Sequence, residues 1–191
     1  EQFTDENRWL ESLEKDSPAV RDWTTLQLDR TRAALDALPC RAAIAAQLEP
    51  LMKLPGMGTP VMAGSNIFYG QRSGDQNQSV LMTRASATAT PRVLLDPNKM
   101  NEKGLLSLDW WRPTQDGKLL AYGSSMSGSE MSELRVIDVA TGTALPDVIT
   151  GKVDFESWTP KGDGILYSSL RDAKDPYSRE VRLHTLGQPV E

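Results

Sequence analysis

Cysteine and histidine are nearly absent from this chain, whose 191 residues include only Cys40 and His184. A single cysteine cannot form a disulfide within the chain, so the fold is not expected to depend on an oxidising compartment. One cysteine and one histidine also cannot supply the usual ligands of a zinc ion. Gly56-x-Gly58 lacks the third glycine of a dinucleotide-binding loop. We therefore expect no metal ion and no cofactor.

Long apolar runs and basic patches are missing as well. No segment approaches the ~20 apolar residues that a membrane-spanning helix needs, so we expect a soluble protein without a membrane partner. The net charge of −5 argues against nucleic acid as a partner, because a nucleic-acid surface requires clustered lysine and arginine. The first residue is Glu1 rather than methionine, which is compatible with processing. The sequence does not distinguish the cytoplasm from the periplasm.

A complete catalytic motif is also lacking. The Gly-x-Ser-x-Gly turn that exposes the nucleophile of α/β-hydrolases does not occur. A Ser-His-Asp triad would have to use His184, which lies in an alternating β pattern where a half-buried structural histidine is expected. Cys40 follows Pro39 near a predicted helix start, a setting that lowers the pKa of some thiols, but we expect a buried and inert cysteine. We predict no catalytic residue within the chain.

The strongest pattern that is present is a repeat. The frame Trp111-x-Pro113-x-x-Asp116-Gly117 returns 47 residues later as Trp158-x-Pro160-x-x-Asp163-Gly164, and an apolar run follows each copy. A fainter copy, Gly64-Ser65-Asn66, precedes Ile67-Phe68-Tyr69. Each copy predicts two antiparallel strands joined by a polar turn. A period of roughly 40 to 50 residues built from short strands is typical of β-propeller blades. An ordinary β-sandwich would explain the turns but not the matched tryptophan and proline spacing.

Further strands follow each copy, so that each unit is predicted to hold four. The units divide into residues 60–104, 105–151 and 152–191. Two or three blades cannot close a ring that needs about four to eight. An open edge strand and an apolar blade face would remain, and we expect further chain or another chain to cover them.

The first 54 residues have a different pattern, which predicts helices. Charged residues surround Trp9 and Leu10, which suits a short helix over residues 1–15. Ser17-Pro18 is a good start for a second helix, and residues 41–52 predict a third, which Pro50 kinks or ends. Proline and glycine cluster over residues 54–60 and mark a boundary. The fold class is therefore mainly β: a partial propeller of about two to three four-stranded blades, preceded by an α-helical extension over residues 1–54.

Several segments resemble one known family. Residues 5–11, Asp-Glu-Asn-Arg-Trp-Leu-Glu, are similar to the "DPYRWLE" start signature of prolyl oligopeptidases. The similarity continues in order through residues 76–81, 94–98, 116–123, 127–130, 138–142, 145–147 and 184–187. It implies the first blades of a seven-bladed propeller, with a helical extension that packs on an α/β-hydrolase domain. The family's Gly-Gly-Ser-Asn-Gly-Gly motif is missing, and Gly64-Ser65-Asn66 matches only its centre.

The resemblance implies a function and two residues near the substrate. The family cleaves short peptides after proline, and its propeller covers the active site as a size filter. Glu130 matches an acidic position near the peptide's amino end, although a solvated loop acid is an equal alternative. Phe155 corresponds to a phenylalanine that packs on a substrate side chain. However, Val153 occupies the expected spacing before Trp158, and a core phenylalanine is the alternative.

Two functional hypotheses follow. In the first, the chain is the N-terminal part of a serine peptidase, monomeric as a whole, whose partners are short proline-containing peptides and the hydrolase domain. In the second, it is a catalytically silent propeller fragment that acts as a binding module or self-associates. Post-proline hydrolysis would favour the first hypothesis, and concentration-dependent association the second.

Overall fold

The computed structural model describes residues 4–12 and 17–190. The chain divides into two compact units, residues 1–52 and 53–191. Helices make up the first unit, and antiparallel strands dominate the second. The prediction of a mainly β fold preceded by helices is therefore confirmed.

The helical unit begins with a 3₁₀ helix, Arg8–Glu11, within the segment 1–15 for which a short helix was predicted; residues 1–3 and 13–15 of that segment lie outside the described residues. Helix α1, Pro18–Asp36, starts as expected, because the Ser17 hydroxyl accepts a hydrogen bond from the Val20 amide at 3.4 Å. Helix α2, Arg41–Met52, ends two residues after Pro50, which lacks the N–H of a helical hydrogen bond.

Cys40 departs from the prediction of a buried thiol. The structure places it in the short connection between α1 and α2, where its side chain is exposed. The connection follows the end of α1 and includes Pro39, which favours a turn over continued helix. The residue therefore does not lie on the face of either helix.

The β unit consists of three successive antiparallel sheets, here called the first, second and third blade. The described sheets contain five, four and three strands, whereas four were predicted for each unit, and in the second and third blades consecutive strands pair as hairpins. In the first blade, β1 and β2 pair with different parts of β3 and act together as one interrupted edge strand. The first blade contains β1 (Gly56–Met57), β2 (Val61–Ala63), β3 (Asn66–Arg72), β4 (Val80–Arg84) and β5 (Arg92–Leu95). After the short helix α3 (Pro97–Met100), the second blade contains β6 (Leu106–Pro113), β7 (Leu119–Met126), β8 (Glu133–Asp138) and β9 (Ala144–Ile149). The described part of the third blade contains β10 (Asp154–Trp158), β11 (Gly164–Leu170) and β12 (Arg179–Thr185).

Two apolar clusters hold neighbouring blades together, and β7 contributes to both. Leu120 and Tyr122 face the first blade, whereas Ala121 faces the third. This division follows from the alternation of side chains along a strand. All three residues are at most 3% exposed, so both faces of β7 are buried. An apolar run without polar alternation, Leu119-Leu-Ala-Tyr122, is what a strand buried on both faces requires.

The repeat is real, but its register differs from the predicted shift of 47 residues. In the β6–β7 turn, the Thr114 amide donates to the Leu119 carbonyl; in the β10–β11 turn, the Thr159 amide donates to the Gly164 carbonyl, each at 2.9 Å. These equivalent positions are 45 residues apart, as are the tyrosines at 122 and 167. Trp111 pairs with Tyr122, whereas Trp158 pairs with Ile165. The predicted equivalence of the two tryptophans is therefore wrong.

The turn glycines explain the register of 45. Gly117 and Gly162 have φ values of 70° and 71°, and each donates its amide to the threonine carbonyl three residues earlier. Glycine adopts this left-handed conformation without steric cost. The position of the aspartate within the turn differs between the two copies, since Asp116 precedes its turn glycine and Asp163 follows it. The Asp-Gly pairs of the sequence frame are thus not equivalent.

Candidate functional site

An unusual backbone marks the end of the second blade opposite the β6–β7 turn. Within the described residues, the non-glycine residues with positive φ are Ser127 (55°), Glu130 (57°) and Lys152 (56°). Ser127 and Glu130 lie in the β7–β8 loop, and Lys152 lies in the connection from β9 to β10. A left-handed conformation costs a residue with a Cβ atom about 1–2 kcal/mol. Such strain concentrates at functional sites.

The β7–β8 loop and the β9–β10 connection are joined to each other; we call them together the loop pair, residues 127–132 and 150–153. The Val153 amide donates to the Ser132 carbonyl at 3.0 Å. The Lys152 ammonium lies 3.7 Å from a carboxylate oxygen of Glu130. The Glu130 side chain is 81% exposed and that of Lys152 is 40% exposed, so both remain accessible from solvent.

Asp109 anchors the β7–β8 loop from strand β6. Its carboxylate accepts hydrogen bonds from Ser125 at 2.9 Å, from Ser107 at 3.1 Å and from Ser132. Ser125 and Ser132 are buried and flank the loop on either side. The pairing of β6 with β7 changes register between Leu108 and Trp110, so Asp109 lies in a β-bulge. A bulge can turn a side chain away from its regular direction, here towards the loop.

Phe155 lies among aromatic side chains of the second and third blades. Its ring centroid is 5.9 Å from those of both Trp110 and Trp158. Phe155 is half-buried, and Val153 is fully buried. The structure thus places Glu130 in an exposed loop and Phe155 in an inter-blade cluster, a position that favours the core role over contact with a substrate.

His184 is more deeply buried than the half-buried position that we predicted. It is 3% exposed, and its Nε2 lies 2.7 Å from Asp147 Oδ1, which also accepts the Gly187 amide at 2.7 Å. The pair connects β12 of the third blade with β9 of the second. Because this aspartate is 37 residues away in sequence, the pattern around His184 gave no indication of the contact.

Gly64-Ser65-Asn66 forms a structural turn between β2 and β3. The Gly64 amide donates to the Gln115 carbonyl at 2.9 Å, and the Asn66 side-chain amide donates to the Gly117 carbonyl at 3.1 Å. A Cβ atom on Gly64 would collide with the Asp116 carbonyl. The segment therefore packs the first blade on the second and has the geometry of a hairpin, not of a nucleophile turn.

Perturbed carboxyl groups lie at the turn end of the second blade. The hydrogen bond from the Thr114 hydroxyl, followed by that from the Lys118 amide, lowers the pKa of Asp116. Hydrogen bonds from the Thr141 amide and hydroxyl lower the pKa of Asp138. In the core, burial raises the pKa of Tyr122. Each of these shifts accompanies a turn or a core position, so they do not identify catalytic groups.

A groove of about 460 Å³ lies beside the β7–β8 loop. Met126 precedes that loop, Met131 lies within it, and Met100 contributes from α3. Methionine side chains are flexible and polarizable, so such a surface can adapt to differently shaped apolar groups. In residues 4–12 and 17–190, no group of three or more histidine, cysteine, aspartate or glutamate side chains could hold a metal ion. No described helix is both long and apolar enough to cross a membrane.

Successive antiparallel blades that pack through apolar inter-blade clusters define a β-propeller architecture. Residues 1–191 match the family described as prolyl oligopeptidase, N-terminal beta-propeller domain, and the chain belongs to this family. The family prediction is therefore confirmed.

Individual relatives agree with the family assignment. The chain is 30% identical over 175 residues to a prolyl endopeptidase of Elizabethkingia meningoseptica, an alignment that covers 91% of this chain and 24% of the relative. A solved structure from an analysis of two prolyl endopeptidases is 33% identical, with a TM-score of 0.84, and the match covers 95% of this chain and 28% of that one. Oligopeptidase B from Leishmania major shares the fold, with 19% identity and a TM-score of 0.68 over 96% of this chain and 26% of that one. The chain thus spans about a quarter of the length of the relatives that it matches.

Proposed function

We propose that this chain supplies the first propeller blades of a serine peptidase that cleaves short peptides after proline. The observation that carries the proposal is the family match over all 191 residues, together with 30–33% identity to proteins named prolyl endopeptidase. The catalytic serine, aspartate and histidine belong, in this proposal, to a hydrolase domain that pairs with the propeller. The helical extension predicted over residues 1–54 packs on that domain in this proposal.

The propeller acts as a filter rather than as a catalyst. A propeller over an active site admits short flexible peptides and excludes folded proteins. Enclosure also removes water, and charge stabilisation of an acyl-transfer transition state is stronger in a site of low dielectric constant. Within the blades, we assign Glu130 to the amino end of the peptide, because its carboxylate is exposed and can attract a positive terminus. We assign Phe155 to packing between blades.

Peptidase assays on two samples test this proposal. The protein expressed from its whole reading frame should hydrolyse a fluorogenic Gly-Pro reporter, and a serine-directed inhibitor should abolish the activity. The isolated 191-residue chain, verified at 21.1 kDa by intact mass, should be inactive. An empty-vector preparation controls for host peptidases. Failure of the whole protein to cleave after proline would overturn the proposal.

Size selectivity provides the second part of the test. The same Gly-Pro site should be cleaved in a short free peptide and resist cleavage when it is displayed in a loop of a folded carrier protein. The unfolded carrier serves as the matched control for sequence context. Equal cleavage of the free peptide and the folded carrier would contradict the filter role.

Exposed apolar residues on the third blade favour a second candidate, a self-associating module. Val181 and Leu183 of β12 are each 63% exposed. Apolar side chains on a sheet face favour contact with another surface. Sedimentation of the isolated chain over a hundredfold concentration range tests this candidate. Association that Val181→Thr and Leu183→Thr abolish would support it, and a monomer at all concentrations would contradict it.

A further inference from the structure

The loop pair contains a positive group beside the proposed peptide-binding carboxylate. Lys152 Nζ lies 3.7 Å from Glu130 Oε2. A lysine ammonium and the α-ammonium of a peptide are both compact, fully hydrated cations with three donors. The two groups therefore make the same kind of contact with a carboxylate, and either cation near Glu130 weakens the attraction of its carboxylate for the other.

The backbone on both sides of this contact is strained. Glu130 and Lys152 each adopt a left-handed conformation with φ near 57°, although neither is glycine. A conformation with this steric cost persists only when surrounding contacts determine it. Here, the Val153–Ser132 hydrogen bond joins the loop pair, and Asp109 fixes Ser132 and Ser125 at the two ends of the β7–β8 loop.

A neighbouring arginine is engaged elsewhere. Arg179 pairs with Asp154 at 2.8 Å and donates to Ser168 at 2.8 Å and to the Lys152 carbonyl at 3.4 Å. Its guanidinium thus supports the backbone of the connection and neutralises Asp154. Lys152 is the cation directed at Glu130.

The weakness of the Glu130–Lys152 contact makes it reversible. Exposed ion pairs contribute little to stability because water screens the charges and two long side chains must be ordered. A peptide amino terminus that reaches Glu130 therefore displaces Lys152 at a small cost. We propose that Lys152 is a specificity-determining residue that competes with the amino terminus of the peptide for Glu130; this inference rests on the proposed peptidase function.

The test compares peptides with free and blocked amino termini. Fluorogenic peptides with one to four residues up to and including the proline are prepared with a free amino group and as N-acetyl derivatives. The whole protein is assayed, and the ratio of kcat/KM for the free and acetylated forms is measured at each length. Lys152→Met should raise this ratio about two- to fivefold at the length that reaches Glu130. The change should appear in KM.

Two variants serve as controls. Lys161→Met removes the same charge from the β10–β11 turn and should leave the ratio unchanged. Glu130→Gln should make the ratio insensitive to Lys152→Met, because the carboxylate for which the two cations compete is gone. This readout separates competition from a structural role, which would alter both peptide forms equally.

The possible failures are distinguishable. The inference is overturned if the protein cleaves the peptides but Lys152→Met changes the free-to-acetylated ratio of kcat/KM no more than Lys161→Met does. That outcome would leave the peptidase function intact. A persistent effect of Lys152→Met in the Glu130→Gln background would also overturn the inference. Absence of post-proline cleavage from every peptide would overturn the proposed function, and this inference with it.

Discussion

The two ends of the second blade adopt the same left-handed backbone conformation with different residues. At the turn end, the conformation falls on glycine: Gly117 has a φ of 70° and Gly142 a φ of 73°. At the loop end, it falls on Gly128 and also on two residues with a Cβ atom, Ser127 and Glu130, for which it is costly. The turn end is therefore built for stability. The loop end retains side chains at a cost to stability, which is consistent with the peptide-binding role proposed for Glu130.

The largest expected effect is at the turn end. Gly117→Ala should destabilise the protein by about 3 kcal/mol, because the new Cβ atom is strained at this φ and collides with the Ala63 carbonyl. Gly142→Ala is the matched control, since its φ is similar but a Cβ atom there meets nothing within 4 Å. It should cost only the strain, about 1 kcal/mol. Urea denaturation midpoints measure the stability of both variants. Equal losses of stability would show that the collision with Ala63 between the blades adds nothing to the backbone strain.

The next effect concerns the anchor of the loop end. Asp109→Ala leaves the buried hydroxyls of Ser125 and Ser132 without their carboxylate, which should cost about 2 kcal/mol. Asp175→Ala, in the exposed β11–β12 loop, removes a carboxylate that accepts a single backbone hydrogen bond and is the control. Thermal denaturation in the same buffer compares them. A shift for Asp109→Ala no larger than that of the control would refute the anchoring role.

A smaller effect, of opposite sign, tests the strain at the loop end. Lys152→Gly should stabilise the protein by up to about 1 kcal/mol, because glycine accepts a φ of 56° freely. Lys161→Gly, at a position without positive φ, should instead destabilise it slightly through the flexibility that glycine adds to the unfolded chain. Chemical denaturation distinguishes the two signs. If both variants lose stability, the strain at Lys152 is not significant.

The smallest expected effect is on the pH dependence of folding stability, through Asp138 at the turn end. Hydrogen bonds from Thr141 lower the pKa of Asp138 below its usual value of 3.8. The folded protein therefore favours the ionised carboxylate, and this contribution is present above pH 3.8 and disappears as pH falls through the lower folded pKa. The melting temperatures of the wild type and Asp138→Asn should differ at pH 5 and converge towards pH 2. A constant difference would contradict the assignment.

Strands and turns were predictable where the signal is local. The apolar run before Tyr122 and Gly117 indicated the β6–β7 hairpin correctly. In the later copy the frame indicated Gly164, but the turn glycine is Gly162 and Gly164 begins β11. The register of the repeat was not predictable, because the matching Trp-Pro spacing is an incidental similarity. The equivalent positions of the two hairpins are set instead by the backbone hydrogen bonds of Thr114 and Thr159.

The candidate site was harder to predict than the hairpins. Resemblance to the family indicated Glu130, but no residue pattern indicated its contact with Lys152. Asp109 joins serines 2, 16 and 23 residues away, and a bulge directs its side chain. Left-handed glycine has a recognisable sequence signature, whereas left-handed glutamate and lysine have none, because tertiary contacts impose that conformation.

The composition of the two inter-blade clusters has a consequence for biosynthesis. All buried residues of the cluster between the first and second blades lie between Ala63 and Val139. The buried residues of the next cluster extend from Ala121 to Tyr167. Because the ribosome produces the chain from its N-terminus, the first interface can form before the third blade has been synthesised. Strand β7 then presents its other face, including Ala121, as a template for the next blade, so that the propeller can grow one blade at a time during translation.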